Sequence, residues 1–127
     1  MAEPGQPEQA GRSVENIRRE LAVLCRRSWC RVLGWPRDWR PGMVVDPNDA
    51  DRQVFTESGA WEFTADLLEA GWPMLEIKLD TPAGKTGYVV MASGGEKRPD
   101  IYVKLQLGSG KVIGRSFHYS EPDTGKG

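Results

Sequence analysis

The sequence predicts an α+β domain, with N-terminal helices packed on an antiparallel β-meander sheet. Three observations carry that expectation. Before residue 71, apolar residues recur at helical spacing in two separate stretches. After residue 74 they alternate with polar ones, which is the period of a strand. Between two such alternating segments stands Gly108-Ser109-Gly110, a tight hairpin signal. Helices first and strands afterwards are the order of an α+β fold. At 127 residues the chain suits one domain and can bury about two-thirds of its unfolded surface.

Residues 1–12 are rich in Pro, Gly, Gln and Glu and read as a disordered tail, as does the stretch from Glu121 to the end. The domain is expected over 13–120. Ser13 is placed to cap a helix running through about Ser28. Val14, Ile17, Leu21, Leu24 and Cys25 share one face of it, with Arg19, Arg26 and Arg27 lying away from that face. Pro36, Pro41, Gly34 and Gly42 then break regular structure around Trp29, Trp35 and Trp39. That loop reads either as packing over the core edge or as a Trp/Arg grip on RNA. Met43-Val44-Val45 reads as a short strand before the turn Asp46-Pro47-Asn48-Asp49.

A second helix is predicted from Ser58 to Ala70, stopped by Gly71. Trp61, Phe63, Thr64, Ala65, Leu67 and Leu68 make its apolar side, and Glu62, Asp66 and Glu69 an acidic side expected to face solvent. Leu75, Ile77 and Leu79 alternate with charges. Tyr88 to Ala92 is the next strand, and Ile101, Val103, Leu105 and Leu107 mark a half-buried one. Lys111 to Tyr119 returns after the hairpin turn.

Net charge is −1, yet it is segregated. From Arg12 to Arg40 eight Arg face three acids, a net of +5; Asp46 to Asp80 carries −7; Thr81 to His118 carries +4. Blocks of this kind either neutralise one another in the fold or present basic surfaces to an anionic partner. The longest apolar runs fall far short of the roughly 18 residues that span a bilayer. The start MAEPGQPEQAG has neither the basic nor the apolar part of a signal peptide, so a cytoplasmic protein without a membrane partner is expected. Cys25 and Cys30 do not form CxxC, and one His cannot complete a zinc set with them, so they read as buried free thiols.

Several motifs fail on mechanism. Leu79 stands where a phosphate-cradling loop ending in Gly84-Lys85-Thr86 requires its first Gly. In the calcium-like segment from Asp46 to Glu57, Ala50 removes a ligand and Asp51 replaces the turn Gly. No GxSxG presents a nucleophilic Ser. No metal and no cofactor is expected.

One constellation remains. The segment IYVKLQLGSGKVIGRSFHYS carries Tyr102, Lys104, Lys111, Arg115, Ser116, His118 and Tyr119. Metal-free RNA cleavage needs a base for the 2′-OH proton, an acid for the leaving oxygen and cations on the pentavalent phosphate, roles that these side chains can fill. Register decides convergence. A three-residue loop with Gly110 left-handed pairs Tyr102 with Ser116 and Lys104 with Gly114; it groups Tyr102, Lys104 and His118 but sends Arg115 to the buried side. A two-residue turn groups Tyr102, Lys104 and Arg115 and moves His118 to the opposite face. The first gives the cleaner apolar face.

This hairpin resembles the C-terminal strand pair of the MqsR-type bacterial toxins, within the RelE-like mRNA interferase superfamily. In that pattern a strand of the form [VI]Y[LV]K is followed by one ending in SF and a basic residue, here Ile101-Tyr102-Val103-Lys104 and Ser116-Phe117-His118. This sequence has His where the family has Lys. The resemblance covers Ser58 to Tyr119 at most and implies a RelE-like fold, with Tyr102 and His118 acting in cleavage.

The expectation is therefore a metal-independent endoribonuclease that cleaves single-stranded RNA by 2′-OH attack, the toxin of a toxin–antitoxin pair with a cognate antitoxin protein as partner. His118, Tyr102, Lys104 and Arg115 are the candidate catalytic residues, and Lys85, Lys111 and Tyr119 the candidate RNA contacts. Its rivals are a non-catalytic RNA-binding or protein-interaction module using Arg26, Arg27, Arg31 and the Trp loop, and an accessory structural domain with no site.

Overall fold

A computed structural model describes residues 13–120; both predicted tails lie outside the described residues. The order is α1 (Val14–Arg26), β1 (Arg31–Leu33), α2 (Glu57–Ala70), β2 (Met74–Lys78), β3 (Thr86–Ala92), β4 (Ile101–Leu107) and β5 (Val112–Tyr119), with short 3₁₀ turns at Ser28–Cys30 and Pro41–Met43. The five strands form one mixed sheet in the order β1-β5-β4-β3-β2. The fold is α+β, as expected, and β2 to β5 are the antiparallel meander.

Both helices start and stop for local reasons. The Ser13 hydroxyl accepts from Asn16 N–H at 3.1 Å, and the Thr56 hydroxyl from Gly59 N–H at 2.9 Å. Gly71 ends α2 at φ +85, a left-handed conformation that glycine adopts without a Cβ penalty. Ile17, Leu21, Leu24 and Cys25 are buried as predicted, while Val14 in the first turn is exposed.

The acidic side of α2 faces solvent, as expected, at Asp66 and Glu69, but its carboxylates are also paired. Arg26 reaches across from α1 and pairs with Glu62, Asp66 (2.8 Å) and Glu69 (2.7 Å), and Arg31 adds a 3.3 Å contact to Glu62. The basic and acidic blocks thus partly cancel between the helices. The three carboxylates on Arg26 hold its guanidinium charged well beyond the ordinary arginine range.

The core lies between the helices and one face of the sheet. Phe117 is its centre: it packs on Trp39, Phe55 and Phe63, and Trp39 stacks on Trp61 at 4.4 Å. Such ring pairs add about 0.5–1.5 kcal/mol each beyond the area they bury. Trp39 is 4% exposed, but Trp29 (76%) and Trp35 (71%) stand in solvent, so the Trp loop is only partly a core cover.

Three features depart from the expected meander. β1, absent from the sequence reading, pairs parallel with β5 from Arg31↔Val112 to Leu33↔Gly114. The chain beyond it stays on the same strand edge: Gly34 N–H donates to Gly114 C=O, Phe117 N–H to Asp38 C=O, and Arg40 N–H to Phe117 C=O. Residues 43–45 are not a strand; Met43 closes a 3₁₀ turn, and Val45 makes only an isolated bridge to Val54. On β2 the apolar row faces the open side: Leu75 pairs with Val89, Ile77 with Gly87, and Leu75 is 63% exposed. As an edge strand, β2 has a neighbour on one side only, so alternation there does not mark the core.

Candidate functional site

The face of the sheet turned away from the helices carries the candidate site. On β4 the inward row is Ile101, Val103, Leu105 and Leu107, all buried, so strand alternation turns Tyr102, Lys104 and Gln106 outward. What joins them on β5 depends on register. The turn is Gly108 to Lys111, closed by a 2.8 Å bond from Gly108 N–H to Lys111 C=O, with Gly110 left-handed at φ +70. Leu107 pairs with Val112, Gln106 with Ile113 and Leu105 with Gly114; then the register shifts, and Lys104 pairs with Ser116, Tyr102 with His118.

The predicted partners, Tyr102 with Ser116 and Lys104 with Gly114, are therefore displaced by two residues. A shift of two preserves facing, which is why Tyr102, Lys104 and His118 still share a side. The β-bulge at Arg115 resolves the conflict between the two expected registers. Each of those lost one side chain to the wrong face. One extra residue on β5 changes the alternation between Ile113 and Ser116. Arg115 is the extra residue, and its guanidinium donates to Gln106 Oε1 from Nε (2.9 Å) and Nη2 (2.7 Å) and to Trp35 C=O from Nη1 (2.9 Å).

Asp38 completes the cluster, supplied by the loop stitched along β5. One oxygen, Oδ2, accepts from Ser116 Oγ–H at 2.8 Å and lies 3.1 Å from His118 Nε2. Its other oxygen is 3.5 Å from Arg40 Nε. His118 Nδ1 lies 2.8 Å from its neighbour's carbonyl, Tyr119 C=O. Both ring nitrogens thus face acceptors, and only a ring protonated at both can donate to both. The Tyr102 ring lies nearly parallel to the His118 ring, at 12° and 5.3 Å between centroids. Burial, and secondarily the Asp38 charge, raises the Tyr102 phenol above its ordinary value, so it is a proton-bearing donor at neutral pH.

Of this cluster Asp38 and Ser116 line a cleft of about 380 Å³, and His118 and Tyr102 stand behind them, outside its lining. Lys104, Arg115 and Ser116 come from the sheet, Pro36, Arg37, Asp38 and Arg40 from one wall, and Leu79, Asp80 and Thr81 from the other. Leu79 folds over Gly87, where a Cβ would come within 2.6 Å of Leu79 Cδ2, and this fixes the second wall to β3. Four of the lining residues are basic and two acidic. Arg115 has only neutral oxygens as partners, and Arg37 and Lys104 make no ion pair among the described residues, so these three cleft-lining charges are not neutralised by ion pairs. Partial burial lowers Arg115 from its ordinary value.

The other sequence candidates lie elsewhere. Tyr119 is a correction: it pairs with Ile101 on the helix-facing side, and its hydroxyl accepts from Val45 N–H at 3.1 Å. Alternation turns it away from His118. Lys111 is in the β4–β5 turn, beyond the Leu107↔Val112 pair and remote from Tyr102↔His118. Lys85 is exposed in the β2–β3 loop, where its carbonyl accepts from Leu79 N–H. Arg26 and Arg31 are spent on the α2 carboxylates.

Cys25 and Cys30 are free and buried; burial pushes the Cys25 thiol up to about 12, so it is not a nucleophile at neutral pH. No group of three or more His, Cys, Asp or Glu among the described residues is arranged to hold a metal ion. No helix among them is long and apolar enough to cross a membrane. Asp38 is the site residue that sequence reasoning missed. It lies 80 positions from His118, in a loop whose composition signalled only Trp and Arg. Compared with known proteins, the chain matches no family model, no curated protein and no solved structure.

Proposed function

We propose that this protein is an endoribonuclease that cleaves single-stranded RNA by attack of a 2′-OH on the adjacent phosphate, with a fold and role of the RelE-like mRNA interferase kind and an antitoxin protein as its partner. The observation that carries the reading is the Asp38–His118 couple, 3.1 Å apart, beside a cleft whose lining carries uncompensated cations. The sequence resemblance at Tyr102 and His118 supports it independently.

In this mechanism Asp38 accepts the 2′-OH proton as the 2′-oxygen bonds to phosphorus. Doubly protonated His118 gives its Nε2 proton to the 5′-oxygen as the P–O5′ bond breaks. The products are a 2′,3′-cyclic phosphate and a 5′-OH end. Protonated Asp38 then returns its proton to His118 across the same short contact, and the site is restored without an outside acid. Lys104, Arg37 and Arg115 stabilise the charge that develops on the equatorial oxygens. Tyr102 holds the imidazole by stacking and offers a phenolic O–H to the phosphate.

The test is incubation of the purified protein with single-stranded RNA in EDTA, with His118→Ala and Tyr102→Phe alongside. Wild type should leave cyclic-phosphate ends, and loss of the proton donor should slow cleavage about 10²–10⁴-fold. Intact RNA with wild type and variants alike refutes the reading. Expression without the neighbouring gene should arrest growth.

A second reading, a non-catalytic RNA-binding module, is favoured by the double engagement of His118 in the free protein. It moves the contact surface from Arg26 and Arg31 to the Trp35–Arg40 loop and predicts salt-dependent RNA retention without cleavage.

A further inference from the structure

Trp35 is 71% exposed, although the loop that carries it is firmly held. The Gly34 N–H before it is bonded to Gly114 C=O at 3.0 Å, and its own carbonyl takes the Arg115 Nη1 donor at 2.9 Å. Residues Pro36 to Asp38 after it form a cleft wall, with Asp38 C=O receiving Phe117 N–H. The indole is therefore an anchored aromatic surface in water, not a side chain displaced by a loose loop. Its backbone adjoins two cleft cations: Arg115 bonds the Trp35 carbonyl, and Arg37 is two residues on.

An exposed flat ring, carried on a backbone fixed to one cleft cation and followed by another, suits one ligand chemistry, an unpaired base next to its own phosphates. Every base has a π-face to stack, whereas a duplex keeps its base faces covered. The guanidinium of Arg115 lies against Gly34 so closely that a Cβ there would meet Nη1 at 2.5 Å, so the Gly34–Trp35 backbone and this cleft-lining cation are held together.

We infer that Trp35 is the base-stacking platform of this cleft and makes the site selective for single-stranded RNA, an unpaired base lying on the indole while its phosphate meets Arg37, Lys104 and Arg115. This rests on the RNA reading proposed above and adds what part of the RNA is recognised. The other exposed tryptophan, Trp29, lies in the turn before β1, outside the loop whose residues Pro36 to Asp38 line the cleft, so it serves as an internal control.

The experiment is fluorescence anisotropy of the full chain with a labelled, fully 2′-O-methylated single-stranded oligoribonucleotide, which binds but lacks the attacking hydroxyl. Trp35→Ala should weaken binding about tenfold, Trp35→Phe should keep most of it, and Trp29→Ala should leave it unchanged. The matching duplex should bind more weakly and be indifferent to Trp35→Ala. If Trp35→Ala binds the single strand as wild type does, Trp35 belongs to another surface, such as a protein contact, and the stacking inference fails while the RNA reading stands. If wild type binds neither oligonucleotide, both fall.

Discussion

The Asp38–Ser116 contact is the sharpest test of how the site is held together, and it does not require the proposed RNA substrate. Ser116 is 2% exposed, and its hydroxyl donates to Asp38 Oδ2. Truncating Asp38 to Ala leaves that hydroxyl buried without its acceptor, a cost of about 1–3 kcal/mol. The His118 pairing is lost as well, but its side chains are 32% and 42% exposed, so solvent screening holds that part to under about 1 kcal/mol. Ser116→Ala alone should cost about 1 kcal/mol. The double variant removes donor and acceptor together, so it should be less destabilised than the sum of the singles by about 1 kcal/mol. Asp38→Asn keeps an oxygen for Ser116 and should retain most of the stability. Urea unfolding followed by tryptophan fluorescence gives all four corners of the cycle, provided the denaturant slope does not change between variants. Additivity within about 0.3–0.5 kcal/mol would mean that the two side chains do not interact, and the proposed positioning of Asp38 would be wrong.

Two glycines probe stability and function. Gly114→Ala drives a Cβ to 2.7 Å from the rigid, buried ring of Trp39 and should cost about 1–3 kcal/mol in the same unfolding assay. Gly34→Ala instead drives a Cβ to 2.5 Å from the Arg115 guanidinium, which must give up bonds to Gln106 and Trp35, so RNA affinity should drop together with about 1 kcal/mol or more of stability; an unchanged affinity contradicts the packing described. The Tyr102 phenol should ionise above its ordinary value of 10.0, read as the tyrosinate absorbance missing from Tyr102→Phe. In Asp38→Asn the shift should shrink without vanishing, because burial is the larger cause. Because the folded state favours the protonated phenol, Tyr102 contributes stability at pH values below 10 that disappears as pH rises through its folded value. Ionisation at or below 10 rules this out.

Much of the framework was legible in the residues. Ser13 and Gly71 act on their own helices, although α2 starts at Glu57 under a Thr56 cap and not at the expected Ser58; the apolar rows of β4 and the left-handed Gly110 follow from spacing within a few positions. The candidate face was half legible. The parity of Tyr102, Lys104 and His118 survives a two-residue error in register because side chains alternate with period two. The bulge that adds Arg115 was not legible, since it arises from competing demands on β5: Gly114 must admit the Trp39 ring on one side while Arg115 reaches Gln106 on the other.

The sequence by itself determined what depends on neighbours in the chain: two capped helices, an alternating hairpin, and a single His placed beside Tyr and Lys. Tertiary structure alone decided which charges remain available. Arg26 and Arg31 disappear into the acidic side of α2, whereas Arg37, Lys104 and Arg115 stay uncompensated around a cleft. It also brought Asp38 to His118 across 80 residues by laying one loop along the free edge of β5. Periodicity reports only which side of its own element a residue takes. Which element then packs against that side is set by the closure of the whole chain around Phe117, and no local pattern encodes it.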